Sequence, residues 1–268
     1  MIEFAGKVAL VTGAGNGIGK ASARAFSSLG ARVVVVDIDT GGAAQSVAEI
    51  EAVGGVATAH PADIAEPDEV RRLIEQVLER FGRIDVIHNN AAWYPRTNVV
   101  DMTVADWDKA LNVSLRSIFL TAKYALPSMV ERGSGCIVNT SSVHAYTGFA
   151  NHPAYAAAKA GILGLTRQLA KEYGPHGIRV NAVVPGPIDT RIWGEGPEVE
   201  KRKRARAATV PLRRIGRPEE VASVVVFLAS NLASYVNGVS LPVDGGMIIA
   251  ASESTYSDSS LKVDEGLS

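Results

Sequence analysis

The sequence predicts an α/β protein built on a single doubly wound, seven-stranded parallel sheet with helices on both faces. Three observations point to it. Strand-like and helix-like runs alternate along the chain with short breaks between them. The strand-like runs are continuously apolar, as in strands covered on both faces, rather than alternating. The chain of 268 residues carries no repeat or composition break, and that length suits one large core. Strands are expected near 7–12, 32–37, 56–60, 84–89, 136–141, 179–184 and 239–243. Helices are expected over 20–29, 104–131, 154–173 and 218–230, and another where Val70, Leu73, Ile74, Val77, Leu78 and Phe81 recur at helical spacing. Residues 1–250 form the expected domain, with an irregular segment at about 187–210 carrying Pro187, Gly194, Gly196 and Pro197. Residues 251–268 read as a polar, low-complexity tail.

The first strand, Lys7 to Thr12, breaks into Gly13, Gly15, Gly17 and Gly19 before a helix-like run. A strand, a glycine turn and a helix N-terminus suit a pyrophosphate, because backbone N–H groups and the helix dipole both favour the anion. The second strand, Arg32 to Asp37, ends in a carboxylate placed where a ribose-binding acid is expected.

Tyr155 and Lys159 stand four residues apart in the run that begins at Pro153. On a helix that spacing puts phenol and ammonium on one face, one turn apart. A nearby cation would lower the phenol's pKa toward neutrality and let it exchange a proton with an alcohol or carbonyl. Ser142 lies at the end of the strand-like run that starts at Cys136, with Ser141 as the alternative hydroxyl.

Together these residues resemble the short-chain dehydrogenase/reductase family. Its pattern is met by Thr12 to Gly19, Asn89-Asn90-Ala91-Ala92, Ser142, Tyr155 to Lys159, and Pro185-Gly186. The family has glycine where this chain has Ala92. The resemblance runs from about Lys7 to Gly246 and implies a Rossmann-like fold and hydride transfer between a secondary alcohol and a nicotinamide cofactor. It implies catalytic roles for Asn112, Ser142, Tyr155 and Lys159: Tyr155 the general acid/base, Lys159 tuning it and holding the nicotinamide ribose, Ser142 bonding the substrate oxygen, and Asn112 holding a water that links Lys159 to solvent. It also implies cofactor contacts at Gly13, Asn16, Gly17, Ile18, Gly19, Asp37, Ile38, Asp63, Ile64, Asn90, Tyr155, Lys159, Pro185, Gly186, Ile188 and Thr190. In the family the segment after Pro-Gly is a mobile substrate loop, and tetramers are common. A homotetramer is therefore expected, with Ala157, Ala160, Gly161 and Gly164 allowing close helix approach.

Charge favours NAD. Asp37 and Asp39 would repel a 2′-phosphate, and no Arg or Lys lies between Gly13 and Gly19 to offset them. The substrate end is expected to include Trp93, Tyr94, Arg96, Ser142, His144, Tyr146, Phe149, Asn151, His152 and Trp193. That aromatic lining suits a sugar, polyol or small cyclic hydroxy compound. A keto or 3-oxoacyl thioester reductase is the alternative, and a non-catalytic dinucleotide-binding sensor the third reading. The net charge of −1 gives no footprint for nucleic acid. The basic run Lys201-Arg-Lys-Arg204-Ala-Arg206 reads as a solvated face of a short helix, with a polyanion patch or a site for a phosphorylated substrate as the other readings. No metal-ligand spacing is evident. No apolar stretch approaches the ~20 residues of a membrane span, no leader pattern is seen, and the single Cys136 has no disulfide partner, so a cytoplasmic location is expected.

Overall fold

A computed structural model describes residues 2–190, 193–194 and 196–250. The readings of the tail at 251–268 lie outside the described residues. Seven strands, β1 (Val8–Thr12), β2 (Arg32–Asp37), β3 (Val56–Pro61), β4 (Val86–Asn89), β5 (Gly135–Thr140), β6 (Ile178–Pro185) and β7 (Ser240–Val243), pair in the order β3-β2-β1-β4-β5-β6-β7. Every pairing is parallel. The helices are α1 (Gly17–Ser28), α2 (Thr40–Glu51), α3 (Pro67–Phe81), α4 (Val104–Leu111), α5 (Ser117–Arg132), α6 (Pro153–Tyr173), α7 (Pro197–Ala208) and α8 (Pro218–Ala229).

Alternation within each strand distributes its side chains to two cores. Ala9 and Val11 of β1 join Phe26 of α1, Ile50 of α2 and Val225 of α8 on one face. Val8 and Leu10 join Leu73 of α3, Leu126 of α5 and Leu169 of α6 on the other. Both sets are nearly water-free, and burying each large aliphatic or aromatic side chain is worth ~1.5–3 kcal/mol. Two-sided burial is why the strands read as unbroken apolar runs.

One buried polar chain crosses the second layer. Asn89 donates to Asn139 (2.9 Å), Asn139 donates to Thr166 (3.0 Å), and the Thr121 hydroxyl donates back to Asn89 (2.8 Å). It ties β4, β5, α5 and α6 together with its hydrogen bonds made, which fixes the register beneath the site. The strand order reverses between β1 and β4, and the crevice opens above their carboxyl ends.

Three elements differ from the sequence expectation. The helix expected over 104–131 is interrupted by a π turn at Asn112–Arg116. A helix over 40–51, absent from the reading, forms behind Asp39, whose carboxylate accepts from the Gly42 N–H. In the segment at 187–210, expected as a substrate loop with only a short helix at its basic run, α7 spans Pro197–Ala208.

Candidate active site

The glycine turn is held from beneath by β4. Thr12 Oγ1 accepts the N–H groups of Asn90 (3.0 Å) and Ala91 (3.2 Å), and the Asn90 amide donates to the carbonyls of Thr12 and Gly13 (both 3.2 Å). Gly13 has φ +63°, and a Cβ there would lie 2.8 Å from the Ala91 Cα, so only glycine fits. Asp37, at the tip of β2, accepts from Gly15 N (2.8 Å) and Asp39 N (2.9 Å). It therefore fixes the turn, with lone pairs left over for a ligand.

A cleft of about 550 Å³ runs from this turn across the carboxyl ends of β4, β5 and β6. Gly13, Asn16, Gly17, Ile18, Asp37, Ile38, Asp63, Ile64, Asn90, Pro185, Gly186, Ile188 and Thr190 all border it, together with Ser142, Tyr155 and Lys159. Gly19 does not: it is buried against the Gly13 carbonyl, where it lets α1 approach the turn. Asn112 is also off the cleft wall; it opens the π turn, its side chain accepts from Arg116 (3.2 Å), and the turn packs on α6.

Tyr155 and Lys159 occupy the first turns of α6, with Lys159 Nζ 5.4 Å from the Tyr155 ring centroid. The Lys159 side chain is 1% exposed and donates to the Thr140 carbonyl at 2.7 Å. Burial pushes its pKa down to about 7. Burial also pushes the Tyr155 phenol up, opposed by its hydrogen bond with Ser142 and reinforced by Tyr94. Desolvation is thus the largest influence on each of the two groups. His88, packed behind this point, meets Thr140 Oγ1 at 2.9 Å and is driven down to about 3 by burial and by the charge of Lys159. The two candidate serines separate cleanly. Ser141 donates to the Lys159 carbonyl (2.7 Å) and is structural, whereas Ser142 borders the cleft with the phenol and lowers its pKa.

Beyond Tyr155 the cleft is walled by aromatic rings. His144 packs edge-on to Tyr155 (5.0 Å) and Phe149 (4.3 Å), and Tyr94 lies 4.8 Å from Tyr155. Trp93 borders the cleft beneath Lys109 Nζ (4.6 Å from its ring), and Trp193 donates its indole N–H to the Ile188 carbonyl (2.8 Å). Asn151 is corrected: it is exposed, adopts φ +65°, gives its carbonyl to Thr97 N (3.0 Å) and does not border the cleft. Tyr146 likewise faces solvent.

Lys109, Arg206 and Met247 border the cleft without having been expected there. The basic run is only partly a solvated face. Lys203 turns in to Asp189 (2.8 Å) and Arg206 turns in over Phe149 (5.1 Å), while Lys201 and Arg204 stay exposed. Nothing in the weakly amphipathic sequence of α7 marks which of its cations turn inward. No group of three potential metal ligands occurs among the described residues, and no helix among them is long and apolar enough to cross a membrane.

A parallel sheet with a glycine turn at its switch point and a tyrosine–lysine–serine set across the crevice defines a nicotinamide-dependent oxidoreductase. Comparison with known proteins agrees. Residues 13–248 match the family model described as enoyl-(acyl carrier protein) reductase. The chain is 41% identical over 244 residues to the cyclohexanol dehydrogenase of Acinetobacter sp., covering 91% of this chain and 95% of that protein. It superposes on the crystal structure of levodione reductase with TM-score 0.88 and 37% identity, covering 93% of this chain and all of that one. A structure with bound NADP, of a protein provisionally assigned as a 2-deoxy-D-gluconate 3-dehydrogenase from Agrobacterium tumefaciens, matches with TM-score 0.85 and 33% identity over 92% of this chain and 98% of its own. The chain belongs to the short-chain dehydrogenase/reductase family and is an oxidoreductase acting on alcohol and carbonyl groups.

Proposed function

We propose that the chain moves a hydride between a secondary alcohol and NAD, with Tyr155 exchanging the hydroxyl proton. The observation that carries this is convergence: Ser142, Tyr155 and Lys159 border one end of a cleft whose other end holds the glycine turn and Asp37. When bound, the nicotinamide supplies the site that accepts or returns the hydride. In the reducing direction the protonated Tyr155 Oη donates to the carbonyl oxygen, and Ser142 stabilises the charge developing there. In the oxidising direction Tyr155 acts as the tyrosinate and accepts the alcohol proton, and Lys159, whose own pKa of about 7 lets it take up or return a proton near neutrality, carries the phenol's proton away beforehand. Asn112, at the π turn against α6, completes the path from Lys159 outward. The aromatic walls around Tyr155 exclude water from the reacting centre.

NAD preference follows from charge. Asp37 and Asp63 line the adenosine end, and Lys20, on the first turn of α1, is engaged by Glu49 (2.5 Å). A 2′-phosphate would meet carboxylates there. The same proposal places the protein in the cytoplasm as a homotetramer, with residues 1–250 as its catalytic domain. Support for the tetramer comes from α6, where Ala157, Ala160 and Gly164 are exposed and a Cβ on Gly164 would meet open space. Gly161 instead packs inside the protomer, 2.8 Å from Leu115 for an added Cβ. Cys136 is buried, and burial raises its thiol to about 11, so it is inert.

The test is cofactor reduction, read at the nicotinamide absorbance, over secondary alcohols, sugars, polyols and hydroxy acids with NAD and NADP in parallel. Turnover with at least a tenfold preference for NAD in kcat/KM is expected. Preference for NADP would overturn the cofactor assignment. Turnover confined to 3-oxoacyl thioesters would favour the reductase reading.

A further inference from the structure

The fold does not dictate what lies beyond Tyr155, and this chain places positive charge there. Arg206 reaches in from α7 with its guanidinium carbon 5.1 Å from the Phe149 ring centroid, and Phe149 and Tyr155 both contact the His144 ring. Arg96 lies on the loop after β4, near enough to Tyr94 for its charge to oppose the upward push of burial on that phenol, and the Tyr94 ring lies 4.8 Å from Tyr155. Both guanidiniums thus sit no more than two aromatic side chains from the reactive phenol, and both border the cleft.

Among the described residues these charges have no built-in counterpart. The carboxylates bordering the cleft, Asp37 and Asp63, belong to the adenosine end. Asp189, in the segment after β6, and Glu200 of α7 are taken by Lys203 at 2.8 and 3.3 Å. Among the described residues no carboxylate lies within ion-pair range of Arg96 or Arg206. Between the two cations stand His144 and His152, ring centroids 5.0 Å apart, each with a buried Nδ1 that lacks a hydrogen-bond partner. Burial is the largest influence driving both imidazoles down; His152 and then Arg206 add to it for His144, which falls to about 4, and Arg96 and then Arg206 add to it for His152. They are therefore neutral near pH 7 and free to bond hydroxyl groups. A half-buried Arg206 and an exposed Arg96, both bordering the cleft beside unsatisfied polar atoms, offer an oxyanion charge-assisted hydrogen bonds.

We infer that the alcohol handled by this enzyme is a compact anionic one, whose carboxylate or phosphate is held by Arg206 and Arg96 while His144 and His152 bond its remaining hydroxyls. The inference rests on the oxidoreductase reading above and names its substrate class.

Matched probes test it on the full-length protein. D-Gluconate is paired with D-glucitol, and glucose 6-phosphate with glucose, in calorimetric titration and in turnover. The anionic member of at least one pair is expected to bind about tenfold or more tightly, as loss or gain of a charge-assisted hydrogen bond implies. The margin should shrink as ionic strength rises from about 0.02 to about 0.3 M. The pair with the larger margin separates a carboxylate from a phosphate substrate. Arg206→Gln should erase most of that preference and Arg206→Lys should keep part of it. Arg96→Gln provides a second, independent variant, and Arg204→Gln on the exposed side of α7 should keep the parent's preference. Equal binding of charged and neutral partners, or a preference untouched in both Gln variants, would overturn the inference. Turnover of neutral alcohols alone would overturn it while leaving the oxidoreductase reading intact. Arg206-dependent binding without turnover of any probe would support the anion site and count against the oxidoreductase reading.

Discussion

Replacing Lys159 with methionine should stabilise the protein while disabling it. The Lys159 side chain is 1% exposed, and burial brings its pKa from 10.5 to about 7. Below about pH 7 both folded and unfolded chains carry the proton, and the folded state bears the full desolvation cost. Between about 7 and 10.5 the unfolded chain holds a proton that the folded chain has released, so stability rises with pH by up to ~1.4 kcal/mol per pH unit. The cost at pH 7 is thus roughly 4 kcal/mol. Methionine removes it but orphans the Thr140 carbonyl now bonded at 2.7 Å, a loss of ~1–2 kcal/mol. The variant should gain ~2–3 kcal/mol at pH 7, a rise in Tm of roughly 5–10 °C for a chain of this size. The gap should close toward zero by about pH 9.5. Thermal melts of parent and variant across that range measure it. A variant less stable than the parent at pH 7, or a gap that does not change with pH, would refute the desolvation argument.

Two further substitutions probe the cofactor end. Thr12→Val keeps the shape of a side chain that is 1% exposed but removes the acceptor for Asn90 N and Ala91 N. It should cost ~2–4 kcal/mol, seen as a lower Tm and weaker NADH binding, with Thr12→Ser restoring both; a variant as stable as the parent would show that the hydroxyl does not hold the turn. Asp37→Asn removes the charge at the tip of β2 while leaving an acceptor for Gly15 N. The ratio of kcat/KM for NAD over NADP should fall by about tenfold or more, and an unchanged ratio would show that selectivity lies elsewhere.

The strands were legible because both their faces are buried, so Val33 to Val36 carry no polar interruption to blur the signal. The site's cofactor half was legible for a related reason: its contacts are local in sequence, as in the turn from Thr12 to Gly19 or the four-residue step from Tyr155 to Lys159. Features set by tertiary packing were not. The π turn at Asn112 sits inside an unbroken helical pattern, hinted at only by an asparagine in mid-helix. Asn151 stands in the right stretch of sequence but faces outward, because its left-handed backbone and its bond to Thr97 hold it away. Arg206 could be seen only once α7 was laid across Phe149.

The most direct test of the central claim is Tyr155→Phe, measured for turnover on the best alcohol of the panel and for NADH binding by fluorescence. A single oxygen is removed from a ring that keeps its packing against Tyr94 and His144. The account predicts a fall in kcat of about 100-fold or more with NADH affinity within about threefold of the parent, since one neutral hydrogen bond is at stake. A variant that retains a substantial share of the parent's turnover would contradict it.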